Sequence, residues 1–106
     1  MTAYAVGHLR DVSVGPAIIE YLQRIDGTLA PFGGRFVIHG GHPEVLEGAW
    51  QGDLIVIAFP DMERARAWYH SPAYREIKVL RTENAASVVF LVDGVDADHK
   101  ATDVLA

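Results

Sequence analysis

The sequence predicts a single α+β domain in which an antiparallel sheet carries its helices on one face. Short apolar runs of strand character alternate with two stretches of helical periodicity. One of those runs, Leu54 to Phe59, is almost continuously apolar between two turns, as a central strand buried on both faces would be. The chain has 106 residues, of which 50% are hydrophobic, enough for one moderate core and too few for a second domain.

The elements follow in order. Ala3 to Leu9 is short, apolar and closed by Arg10-Asp11, which predicts a first strand. Ser13 is placed to cap a helix, Pro16 suits its first turn, and Ile18, Leu22, Ile25 and Leu29 recur at helical steps. Pro31 and the Gly33-Gly34 pair end it. Arg35 to His39 is a second strand, Gly40-Gly41-His42-Pro43 a turn, and Val45 to Trp50 an extended segment that would make an extra β-hairpin before Gln51-Gly52-Asp53. After the Leu54 to Phe59 strand, Asp61 caps a helix that directs Ala65, Trp68 and Tyr69 inward. Ser71-Pro72 interrupts that helix and starts another, with Tyr74, Ile77 and Leu80 as its buried stripe. Ser87 to Val92 is the last strand, ending at Asp93-Gly94.

This order is the ferredoxin-like βαββαβ arrangement with an extra β-hairpin and a second helix broken in two. Its helices cover one face of the sheet, so the other face needs a partner. A second copy of the same sheet is the simplest one, which predicts a homodimer through the open sheet face. Residues 1–94 form the domain. The tail, residues 95–106, has no period and is expected either to remain unordered or to lie across the partner subunit.

The formal net charge of −5 and the absence of a Lys/Arg run argue against nucleic acid and anionic membranes as partners. There are no cysteines, which excludes disulfides, thiolate nucleophiles and sulfur-based zinc sites. No apolar stretch approaches the ~18 residues of a spanning helix, and no basic leader precedes one, so the expectation is a cytoplasmic protein. The glycine pairs match neither a phosphate loop nor a dinucleotide fingerprint, and no Gly-x-Ser-x-Gly elbow occurs.

Several residues together resemble the DUF1330 family: Tyr4, then Gly33-Gly34-Arg35-Phe36, Leu46-Glu47-Gly48-Ala49-Trp50, Ile57-Ala58-Phe59-Pro60, the run from Ala65 to Tyr74 containing Trp68-Tyr69-His70-Ser71-Pro72, and Arg81. The resemblance covers nearly the whole chain. It implies a subunit of the dimeric α+β barrel superfamily, in which two sheets close into a barrel with helices outside, and it implies no reaction. Relatives in that superfamily include cofactor-free monooxygenases, muconolactone isomerase and haem-dependent enzymes. Where family members often carry a basic residue after the second strand, this chain has His39.

Two groups of residues are candidates for chemistry. Arg35 and Glu47, on adjacent extended segments, would face each other across the ladder, either as an ion pair that sets register or as a site in which Arg35 holds a carboxylate and Glu47 positions a proton. Trp68, Tyr69 and Tyr74 surround the helix break, with Ser71 and Arg81 at its rim. They form either packed core or an apolar pocket where Tyr74 and Arg81 donate to a substrate oxygen. Ser71 also reads as a simple helix cap. The expectation is thus Glu47, Tyr74 and Arg81 as catalytic groups, and Arg35, His39, Trp68 and Ser71 as ligand contacts. His39 and His42 straddle a turn without the third ligand a metal site needs, and His70 reads as exposed at a helix end. No metal and no cofactor are expected.

Two functions fit these residues. One is a cofactor-independent enzyme that performs proton transfer or oxygenation on a small organic substrate. The other is a non-catalytic dimeric module that binds a metabolite or a protein. The enzyme needs a cavity of a few hundred Å³ with at least two of the polar groups pointing in.

Overall fold

The computed structural model describes residues 1–106. Strands β1 (Ala3–Arg10), β2 (Arg35–Gly41), β3 (Asp53–Phe59) and β4 (Ala86–Asp93) form one sheet in the order β2-β3-β1-β4, with every neighbouring pair antiparallel. Helix α1 (Pro16–Leu29) joins β1 to β2, and α2 (Met62–Tyr69) and α3 (Pro72–Thr82) join β3 to β4. The ferredoxin-like arrangement is the observed one. No helix is long and apolar enough to cross a membrane.

Alternation along β1 divides the two faces. Ala3, Ala5 and Gly7 point toward the helices and are buried, while Tyr4, Val6 and His8 point the other way and are half-buried. The core lies between the sheet and the helices, where Ile25 and Leu29 of α1 meet Ile57 and Phe59 of β3, Ala65 and Trp68 of α2, and Tyr74 and Ile77 of α3. Small side chains on β1 leave the room that Trp68 and Tyr74 occupy.

The break between α2 and α3 arises as Ser71-Pro72 implies. Ser71 Oγ accepts from the Tyr74 N–H at 3.3 Å and donates to the Trp68 carbonyl at 2.7 Å, so one hydroxyl closes the end of α2 and opens α3. Asp61 caps α2 by accepting from the Arg64 N–H at 2.8 Å. At α1 the cap differs from expectation. The N-cap is Gly15 without a side-chain bond, and Ser13 instead ties its backbone N–H to the Asn84 carbonyl. Beyond α1 a short 3₁₀ turn, Ala30–Phe32, leads to Gly33 in the left-handed region (φ 69°). Gly34 follows against the Phe59 ring, where a Cβ would stand 2.7 Å from the ring edge.

The extra hairpin is not formed. Val45 to Trp50 lies in an exposed loop between β2 and β3. β2 is an edge strand whose outer side stays unpaired, so a ladder was open to the segment, but Gly48 (φ 82°) interrupts its extended path and Gly52 (φ 100°) turns the chain into β3. Trp50 holds the end of this loop by stacking on His8 at 4.4 Å and donating from Nε1 to the Gly52 carbonyl at 3.0 Å. The tail ends in an exposed 3₁₀ turn, Ala101–Leu105.

Candidate functional site

A cavity of about 100 Å³ lies between α1 and the helix-facing side of the sheet. Its walls are almost entirely apolar. Ile18 and Ile25 form one side, and Ala5, Gly7, Ile55 and Val89 form the floor. Four side chains with polar groups interrupt them besides the indole of Trp68: Tyr21 of α1, Tyr74 and Arg81 of α3, and His39 of β2.

Helical spacing places the inner polar groups. Tyr74, Ile77 and Arg81 lie three and seven positions along α3 and share its buried face, which α1 covers. Tyr21 faces them from α1, and the two phenol oxygens are 2.7 Å apart. Arg81 is only 4% exposed. One Nη donates to Ser87 Oγ of β4, while its Nε is buried without a partner. Trp68 stacks on Tyr74 at 4.1 Å and donates from Nε1 to Thr28 Oγ1 at 3.0 Å, which locks the wall behind the tyrosine pair.

His39 reaches the same cavity through an irregularity in β2. Phe36 pairs with Ile57, but Ile38, not Val37, pairs with Val56, and His39 pairs with Ile55. This bulge brings Phe36 and His39, three apart in sequence, onto one face, where their rings stack at 4.3 Å. His39 and the half-exposed Leu22 mark the side on which the cavity meets solvent.

Of the residues singled out from sequence, the structure brings Tyr74, Arg81, Trp68 and His39 together in this lining. The others lie elsewhere. Arg35 pairs with Ala58, which in turn pairs with Tyr4, so all three belong to the open face of the sheet, opposite the helices. Glu47 is exposed in the loop and does not face Arg35, because the hairpin that would have paired them is absent. Ser71 is occupied as the cap of α3. Tyr21 was missed because Leu22 fits the same helical spacing. Leu22 is 47% exposed, and Tyr21, with Ile18 and Ile25 at steps of three and four, is the buried member. No group of three or more His, Asp or Glu side chains converges as a metal site would require.

Electrostatics single out the tyrosine pair. Burial pushes the Tyr21 phenol far above the usual tyrosine range, the neighbouring Tyr74 adds to this, and the opposing pull of Arg81 does not prevail. Burial works against the Arg81 charge, but Tyr74 and Tyr21 more than offset it, and the guanidinium is held above its ordinary value. The Tyr21 phenol therefore keeps its proton at neutral pH and the Arg81 guanidinium is charged. In the unfolded chain a tyrosine ionises near pH ~10, whereas folded Tyr21 keeps its proton. Above that pH the unfolded state binds fewer protons, so stability falls as pH rises, by about 1.4 kcal/mol per unit for this group. Urea unfolding at a series of alkaline pH values should show this decline, and Tyr21→Phe should make it shallower. Equal slopes in the two proteins would contradict the assignment.

Solved structures with the same fold have low sequence identity. The RPA0582 protein of unknown function from Rhodopseudomonas palustris superimposes with a TM-score of 0.65 at 17% identity, covering 90% of this chain and 83% of that one. A dimeric ferredoxin-like protein of unknown function from Jannaschia sp. gives 0.66 at 14% identity, over 89% and 100% of the two chains. SnoaB, a cofactor-independent oxygenase from Streptomyces nogalater, gives 0.59 at 17% identity, over 93% and 98%. No curated protein matches the sequence. The family model for the domain of unknown function DUF1330 matches residues 2–95, which take in all four strands and the three helices α1 to α3, and the chain belongs to the DUF1330 family.

Proposed function

We propose that the protein binds a small organic molecule in the cavity between α1 and the sheet, as one subunit of a homodimer closed through the open sheet face. The observation that carries the reading is the cavity itself: apolar walls with the hydrogen-bonding groups of Tyr21, Tyr74 and Arg81 gathered at one end. At about 100 Å³ it is below the few hundred Å³ set for the enzyme reading and somewhat below the ~150 Å³ dry cavity that admits benzene, so it suits at most one small ring or a short chain.

Gly7 supports this reading. It lies mid-strand in β1, not in the left-handed region, and a Cβ there would make only ordinary contacts, the nearest at 3.4 Å to Leu9. Backbone geometry does not demand a glycine at this position, and its missing side chain widens the cavity floor. Gly7→Ala is therefore expected to stabilise the fold by about 0.4–1 kcal/mol while narrowing the cavity.

A thermal-shift screen with small carboxylates, amides and phenols tests the reading, because binding to the folded state raises the midpoint. Bound compounds should shift Gly7→Ala less than the parent protein, and Leu22→Trp, which blocks the mouth, should abolish the shifts. A flat response across the screen would defeat the proposal.

Catalysis without a cofactor is the extended form of the same reading, in keeping with the oxygenase among the structural neighbours. Proton transfer is the step these residues support. A molecule anchored at Arg81 and the phenols would present its remainder to His39, the one imidazole in the lining. Acetoacetate carries acidic methylene protons, so its deuterium exchange, followed by NMR, reads the step. His39→Gln should slow exchange without weakening binding, and protein-independent exchange would leave the site a binding site only.

A further inference from the structure

Resting on the small-molecule reading, we propose that the ligand is a carboxylate, with Arg81 as its counter-ion and a tyrosine hydroxyl as its second donor. Arg81 is almost fully buried, yet it forms no salt bridge with any Asp or Glu of the chain. The cavity lining contains no carboxylate either. A buried charge without a counter-charge is costly, and the two tyrosine hydroxyls beside it bond to each other. A partner subunit on the open sheet face would stand on the opposite side of the sheet from Arg81 and would not provide it.

The donors left over suffice for a carboxylate. Ser87 occupies one Nη, and the buried Nε–H has no partner. The two phenols hold two hydrogens, of which their mutual bond uses one. Four of the five guanidinium N–H groups and one phenol O–H thus remain without a protein acceptor, enough to serve both oxygens of a carboxylate. The apolar walls fit a single ring or a chain of a few carbons behind that group.

Benzoate against benzamide, and butyrate against butyramide, form isosteric pairs that differ in charge. Titration calorimetry on the full chain should show each carboxylate binding about 10–100-fold more tightly than its amide. Arg81→Met should remove that preference and still fold, since it replaces an unpaired buried charge with an apolar side chain of similar length. Should Arg81→Met fail to fold, Tyr21→Phe and Tyr74→Phe, which leave the guanidinium in place, should each weaken benzoate more than benzamide. Amides that bind as tightly as carboxylates would overturn the carboxylate assignment and leave the cavity reading standing. Failure of all four compounds and of the broader screen would overturn both.

Discussion

Trp68→Ala should destabilise the protein by about 3–5 kcal/mol, a large share of the roughly 5–15 kcal/mol that holds a domain of this kind together. Trp68 is 2% exposed and among the largest fully buried side chains. It touches three elements at once: its ring lies 5.4 Å from Phe59 of β3 and 4.1 Å from Tyr74 of α3, and its Nε1 donates to Thr28 of α1. Truncation removes apolar burial and leaves a cavity that these neighbours, fixed by strand and helix backbone, cannot collapse to fill. It also deprives the buried Thr28 hydroxyl of its donor, though Thr28 keeps its own bond to the Ile25 carbonyl. Trp68→Phe should lie between the two proteins, since it retains most of the volume and loses the indole N–H. Urea unfolding followed by far-ultraviolet circular dichroism measures all three. A loss below about 1 kcal/mol for the alanine variant would mean that Trp68 does not hold the helices to the sheet.

Trp68 and its neighbours also show where local sequence suffices and where it does not. Ser71-Pro72 announces the helix break because both residues act within one turn, and Asp61 announces α2 for the same reason. The open face follows from strand alternation. Choices between adjacent residues on a helix are harder: Leu22 and Tyr21 fit the same stripe, and only the position of α3 decides that the tyrosine turns inward. Arg81 occupies a buried position that charge alone would assign to the surface, since Leu80 beside it is the conventional core residue and is the less buried of the two. The pairing of Arg35 with Glu47 rests on a hairpin that does not form: the outer edge of β2 is free, but the segment carrying Glu47 is broken at Gly48 and runs as a loop instead. His39 entered the cavity through a bulge, a one-residue shift invisible in composition or period.

Phe90→Glu should convert the proposed dimer to a monomer while leaving the subunit folded. Cross-strand register places Ile38, Val56, Val6 and Phe90 side by side on the open face, a continuous apolar row over all four strands. Val88 and Val92 flank Phe90 on β4, and within the single chain the three are 56%, 49% and 43% exposed in sequence order. A contiguous apolar patch of this kind, formed by regular strand alternation, is what an association surface looks like. Phe90 is its largest aliphatic or aromatic member on β4, and a two-fold partner would bury it near the corresponding strand of the other copy. Glutamate there must either lose its hydration without a counter-ion or hold the two sheets apart, so the dissociation constant should rise by at least about 100-fold. The helix-facing core does not include Phe90, so the circular dichroism spectrum should persist. Size-exclusion chromatography with light scattering at micromolar concentration distinguishes the outcomes: twice the chain mass for the parent protein and the single-chain mass for Phe90→Glu. A monomeric parent would remove the dimer from the proposed function but not the cavity, which lies on the other side of the sheet. Carboxylate binding that survives in the Phe90→Glu monomer would show that one chain supplies the whole site.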